Sequence, residues 1–201
     1  RDEFQDWPPE LQAVVTPERL ATGVTHPDEG VSHWALEFLQ RHWARMSPAH
    51  QDVLSTLLDS RDFVLVNRGW NFLIDPAWQP DAESLRRVLS PELFNLSVLR
   101  RSDQDVETLF RLRGEQFAGA DIGNVLGVFV QAREALEDAR SPLDPRQSVD
   151  SLRAARQALQ PNRKADNPWI RLHAQHLDGK IRTALVSLRR AAERQVRAER
   201  Y

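Results

Sequence analysis

The sequence predicts a mainly α-helical chain, a bundle of about seven or eight helices with one small β-hairpin near residues 62–75. Apolar residues recur at three- and four-residue spacing along most of the chain. Ser-Pro and Thr-Pro pairs punctuate those stretches as helix starts. One segment alone has the β-branched and aromatic runs of paired strands. At 201 residues, 41% of them hydrophobic, the chain can bury a sizeable core without disulfides or metals.

The elements follow in order. Pro8, Pro9, Pro17 and Pro27, with Gly23 and Gly30, leave room for a short helix near Pro17–Ala21, so residues 1–30 are expected to be an extended arm or linker. Residues 31–201 are expected to form a single helical domain. Val31, Trp34, Ala35, Phe38, Leu39, Trp43 and Met46 make one face of a first strong helix. Ser47-Pro48 restarts the chain as a second, with Val53, Leu54, Leu57 and Leu58 inward. Phe63–Val66 and Trp70–Ile74 flank Asn67-Arg68-Gly69, whose Asn and Gly tolerate the positive φ of a tight turn; this is the expected hairpin. Further helices are expected at Asp81–Leu89, from Ser90-Pro91 to Leu99, at Ser102–Arg113, Ile122–Arg140 and Ser148–Leu159, and from Pro168 onward. In the last, Leu177, Ile181, Ala184, Leu185 and Leu188 share one face, while Trp169, Leu172, His173 and His176 lie on a rotated stripe. Gly179 at that junction points to a bend or two helices.

Composition narrows the function classes. There is no cysteine, which excludes thiolate metal sites and a cysteine nucleophile and suits a reducing, cytoplasmic compartment. No apolar run reaches the ~18 residues of a membrane span. The chain begins at Arg1 rather than Met, as an excised or processed piece would. Nearly every basic residue is arginine, Lys164 and Lys180 excepted, which is the mark of GC-rich, bacterial-like coding as much as of phosphate binding. Residues 1–160 carry 17 basic and 25 acidic side chains, residues 161–201 carry 10 and 4, so the positive charge collects at the C-terminal end.

That end supplies the leading candidate surface. Arg182, Arg189, Arg190, Arg194, Arg197 and Arg200 fall opposite the apolar face of the last helix, a pattern suited to an acidic protein partner or a phosphate backbone. Trp7 and Trp78, in proline-bounded loops, are candidate interface anchors. Gly119, Gly123 and Gly127, four apart, would let another helix cross closely, within the fold or in a homodimer, unless the helix starts after Gly123. The segment Val31–Ile74 has the order of a winged helix with Asn67-Arg68-Gly69 as its wing. Its second helix offers Gln51, Asp52, Ser55, Thr56 and Asp59 and no cation, which argues against DNA reading there.

Two constellations could carry chemistry. His173, His176 and Asp178 are candidate metal ligands, with His33 and Glu37 one turn apart elsewhere. Arg171-Leu-His-Ala-Gln-His176 resembles the Arg-x4–6-His signature of the HEPN ribonucleases, small helical bundles, although Leu172 stands where a polar residue usually follows the arginine. The resemblance covers six residues. It implies an arginine that polarises phosphate and a histidine that transfers protons, Arg171 and His176 here. The balance of these features is a non-catalytic interaction or regulatory module without a cofactor, whose partner is another protein. DNA or RNA binding through the last helix is the alternative, and a HEPN-like ribonuclease the third.

Overall fold

The computed structural model describes residues 8–119, 122–140 and 145–198, and its contacts sort into two compact units that divide between Ser97 and Val98. Every regular element among the described residues is helical, and there are more helices than the seven or eight expected.

The first unit contains α1 (Pro9–Val14), α2 (Pro17–Val24), α3 (Glu29–Arg41), α4 (Pro48–Gln51), α5 (Val53–Asp59), α6 (Phe63–Leu73), α7 (Ala82–Val88) and α8 (Pro91–Val98). A 3-10 turn, Trp43–Arg45, follows α3. Side chains at the entry of several helices accept the orphan amides of the first turn: Thr16 from Arg19, Asp28 from Val31, Asp62 from Val64 and Asp81 from Ser84. Within the stretch expected to be an arm, α2 packs on α3 and buries Leu20 and Val24.

The hairpin is not there. Residues 63–73 form α6, with Asn67-Arg68-Gly69 in its middle rather than at a turn. Val66, Gly69, Trp70 and Leu73 are buried at helical spacing, so burial of one stripe outweighs the β preference of Phe, Val, Trp and Ile. Gly69 is there for contact, not conformation. A Cβ on it would lie 3.0 Å from Leu58 Cδ2 and 3.1 Å from Leu57 Cβ, so α5 and α6 meet closely there. Arg68 leaves the helix surface to donate to the carbonyls of Val24 and His26 at 3.4 and 3.0 Å. Without a hairpin there is no wing, and the winged-helix arrangement falls with it.

The core of this unit is aromatic. Trp78 is fully buried, meeting Trp43 edge-on at 4.9 Å and Phe72 at 5.0 Å. It is therefore a core residue and not the interface anchor expected from its loop. Trp43 donates its indole N–H to Ser84 Oγ at 3.1 Å, which satisfies a polar atom that burial would otherwise penalise.

The second unit contains α9 (Asp103–Ala118), α10 (Ile122–Asp138), α11 (Pro145–Ala158) and α12 (Pro168–Ala198), with a 3-10 turn at Asn162–Lys164. Ser102 caps α9 by accepting from Asp105 N, as its Ser-x-x-Asp pattern predicts. Helix α10 contacts α9, α11 and α12, so it is the hub of this unit. Gly119 ends α9 at φ 91°, a conformation that favours glycine. Gly123 and Gly127 lie inside α10, are exposed, and would meet nothing within 4 Å if given a Cβ. No helix among the described residues crosses closely there.

Helix α12 runs as one helix through Gly179, so the expected division into two helices does not occur. Ile170, His173, Ala174, Leu177 and Ile181 are buried in one continuous stripe. The histidine supplies the step that looked like a change of phase.

Candidate functional site on the last helix

Three buried charge clusters order the second unit, and each uses one face of α12 or α10. Glu107 on α9 is 3% exposed and accepts from Arg133 Nε on α10 at 2.9 and 3.0 Å; Arg133 also reaches Glu137 at 2.8 Å. Burial pushes the Glu107 carboxyl above its ordinary range, an effect that the Arg133 guanidinium opposes. Asp178 on α12 is wholly buried and faces three guanidinium groups, Arg156 at 2.9 Å, Arg182 at 3.1 Å and Arg163 at 3.5 Å. These come from α11, α12 itself and the turn between them, so one carboxylate ties three pieces of chain.

The third cluster stands at the rim of an open groove. Asp103, at the start of α9, accepts from Lys180 Nζ at 2.8 Å on both oxygens, and His176 Nε2 lies 3.7 Å from it. Burial, and then the Lys180 charge, hold the His176 imidazole below its usual range. His173 lies one turn earlier on α12. It is wholly buried between Phe129 at 4.6 Å and Phe110 at 5.7 Å, and neither ring nitrogen has a hydrogen-bond partner among the described residues. Desolvation lowers it to about 3, with the His176 and Lys180 charges adding to the shift.

The groove itself, about 940 Å³, runs between the end of α10 and the outer half of α12. Leu136 and Ala139 form one wall, with Arg140 at its rim; Gly179, Thr183, Ala184, Ser187, Leu188 and Ala191 form the other. Beyond Ile181 the stripe that packs α12 into the unit loses its cover: Ala184, Leu185 and Leu188 are only half-buried, and Val186 is 49% exposed.

The residues singled out from sequence fall in different places. Arg182 is tied to Asp178, and Arg189 and Arg190 are exposed on α12. The side chains of Arg194 and Arg197, and residues Arg200 and Trp7 altogether, lie outside the described residues. Arg171 donates to the carbonyls of Ala165 at 2.8 Å and Asp166 at 3.2 Å, which closes the entry to α12. His176 faces Asp103 and Lys180 instead, so the two members of the HEPN-like pair serve different contacts. His173 packs on phenylalanines while Asp178 is held by arginines, and no three His, Asp or Glu side chains converge as a metal site among the described residues. His33 and Glu37 line a smaller groove of about 300 Å³ between α3 and α6 in the first unit.

Sequence reasoning missed Asp103, Glu107, Arg133 and Lys180. Asp103 looked like an ordinary acid in a first helical turn, and Lys180 was one of two lysines among many arginines. What marks them is the burial of Asp103 and Glu107 and the cations that reach them from other helices. No helix among the described residues is long and apolar enough to cross a membrane. Compared with known proteins, the chain matches no family model, and neither a curated protein nor a solved structure matches it.

Proposed function

We propose that this chain is a non-catalytic protein-binding module that takes its partner in the groove between α10 and α12. One observation carries the reading. The apolar stripe of α12 continues past the point where the unit stops covering it, and Leu136, Ala139, Ala184, Leu188 and Ala191 form walls with open space between them. Apolar side chains gathered in a concave strip gain from being covered, at roughly 25 cal/mol per Å² removed from water. The charged clusters next to the groove are already paired, so they stiffen its walls.

The test is retention of a partner from extract of the source cells by the full chain and by groove variants. Ala184→Arg and Leu188→Glu place charge in the apolar strip. Each should keep the helical circular dichroism and lose whatever the unmodified chain retains. Equal retention by all three proteins would remove the groove from the reading.

Association with nucleic acid through α12 is a second reading, favoured by Arg189, which is exposed and has no ion pair among the described residues. It requires a shift of labelled DNA or RNA at low salt that collapses as salt is raised. Arg189→Gln should then lower the salt slope by about one.

A further inference from the structure

The shape and charge of the groove say more about its occupant, given that the groove is the docking site. On α12, Gly179, Thr183, Ser187 and Ala191 are spaced by four and therefore lie in one row along the helix. Ala184 and Leu188 run beside that row. A row of short side chains beside the longer Leu188 is a shallow channel, the shape into which the ridge of another helix packs. From Gly179 to Ala191 the channel spans about 18 Å, or three to four helical turns.

An extended peptide fits this strip poorly. A β-strand peptide would find no edge to pair its amides and carbonyls with, since the described residues offer no strand. A helix brings its own backbone hydrogen bonds and presents only side chains. Charge then selects among helices. Arg140 stands at the rim of one wall, exposed and without an ion pair among the described residues, whereas Arg190, beside the other, already has a contact of its own. Lys180 lies between them with its charge directed at Asp103. The unit as a whole carries 19 basic and 14 acidic side chains. A second copy of the same face would bring these cations against one another.

We infer that the occupant of the groove is an amphipathic helix of three to four turns, with a narrow apolar face against Ala184 and Leu188 and carboxylates on the flank that meets Arg140. This rests on the groove being the docking site, and the experiment separates the two ideas.

The probes are three fluorescent peptides of 18 residues, titrated into the full chain and followed by anisotropy. The first has leucine and alanine on one helical face and glutamate elsewhere. The second replaces every glutamate with lysine, and the third scrambles the first so that no apolar face remains. The acidic amphipathic peptide should bind at least tenfold more tightly than either of the others. Ser187→Trp fills the channel and should weaken it tenfold or more; Arg140→Glu should weaken it several-fold. Ser187 is exposed on the outer half of α12, and unchanged circular dichroism verifies that the variant is folded. Three results overturn the inference: no binding by the acidic peptide, equal binding by the lysine peptide, or equal binding by the scrambled one. If Ser187→Trp still abolishes that indiscriminate binding, the groove stands and only its occupant is wrong. If the acidic peptide binds Ser187→Trp as well as the unmodified chain, the groove itself is wrong.

Discussion

The first unit, ending at Ser97, carries 8 basic and 15 acidic side chains, while the second carries 19 and 14. The two also hold their helices by different means. In the first, Trp43, Phe72 and Trp78 meet ring to ring, and the long-range ion pair Arg87–Asp52 is 32% and 50% exposed on its two sides. In the second, Glu107, Asp178 and Asp103 are each buried and each tied to cations on other helices. A ring cluster resists removal of volume, whereas a buried ion pair resists removal of one partner and tolerates loss of both. The contrast is therefore one that substitutions can break.

The largest effect is expected where volume is lost. Trp78→Ala empties a fully buried site among aromatic rings and should cost about 3–5 kcal/mol. Urea unfolding followed by circular dichroism measures it; a loss under about 1 kcal/mol would mean that the ring cluster repacks freely. Arg133→Met should cost a comparable or slightly smaller amount, about 3–4 kcal/mol, because it strands the Glu107 carboxylate, 3% exposed, without its guanidinium. Adding Glu107→Leu to Arg133→Met should recover most of that loss. If the double variant is no more stable than the single one, the pair holds the helices by more than mutual neutralisation.

The two units also differ in how well sequence revealed them. Most helices of the second were legible, since α9 carries its Ser102 cap and α10 an apolar stripe through Phe129 and Leu136. The hairpin failed because Asn67-Arg68-Gly69 between β-branched runs is a strong local turn signal, while the deciding contact, Leu57 and Leu58 against Gly69, comes from another helix. Trp78 failed similarly: prolines on both sides mark a loop, and nothing local tells that the loop folds inward. In α12 the apparent break came from grouping His173 with Trp169, Leu172 and His176 on a rotated stripe, although the fold buries it in line with Ile170, Ala174 and Leu177. Of the arginines that spacing assigns to the outer face of α12, Arg189 and Arg190 are exposed, while Arg182 is tied to Asp178. The groove was not legible, because its other wall, Leu136, Ala139 and Arg140, comes from the end of α10 and the turn after it.

His173 supplies a pH-dependent difference between the units. Its folded value of about 3 lies below the ordinary 6.5, so the unfolded chain takes up a proton first as pH falls. Its contribution to stability is fully present above about pH 6.5 and is lost progressively down to about 3. Between pH 7 and pH 5 the loss should be about 2 kcal/mol, at about 1.4 kcal/mol per pH unit below the unfolded value. His173→Leu keeps the volume and removes the titration. The variant should be at least as stable at pH 7, since neither imidazole nitrogen has a hydrogen-bond partner among the described residues, and clearly more stable at pH 5. Parallel stability–pH curves for the two proteins would show that His173 does not carry the acid sensitivity.

The smallest effect separates two kinds of buried carboxylate. Asp178, like Glu107, is almost fully removed from water, but its partners are not: Arg156, Arg163 and Arg182 are 39%, 29% and 59% exposed. Asp178→Asn leaves three guanidinium groups that water can reach, so their lost ion pairs are partly replaced by hydration. The expected cost is about 1–2 kcal/mol, and Arg156→Gln alone should cost less than 1, because two cations still face the carboxylate. The urea midpoints of these variants, set beside Arg133→Met, rank the clusters directly. A loss for Asp178→Asn as large as for Arg133→Met would mean that the cost depends on how deeply the carboxylate is buried, whichever partner is removed. The predicted inequality means that it depends on which charge is left behind in the dark of the core.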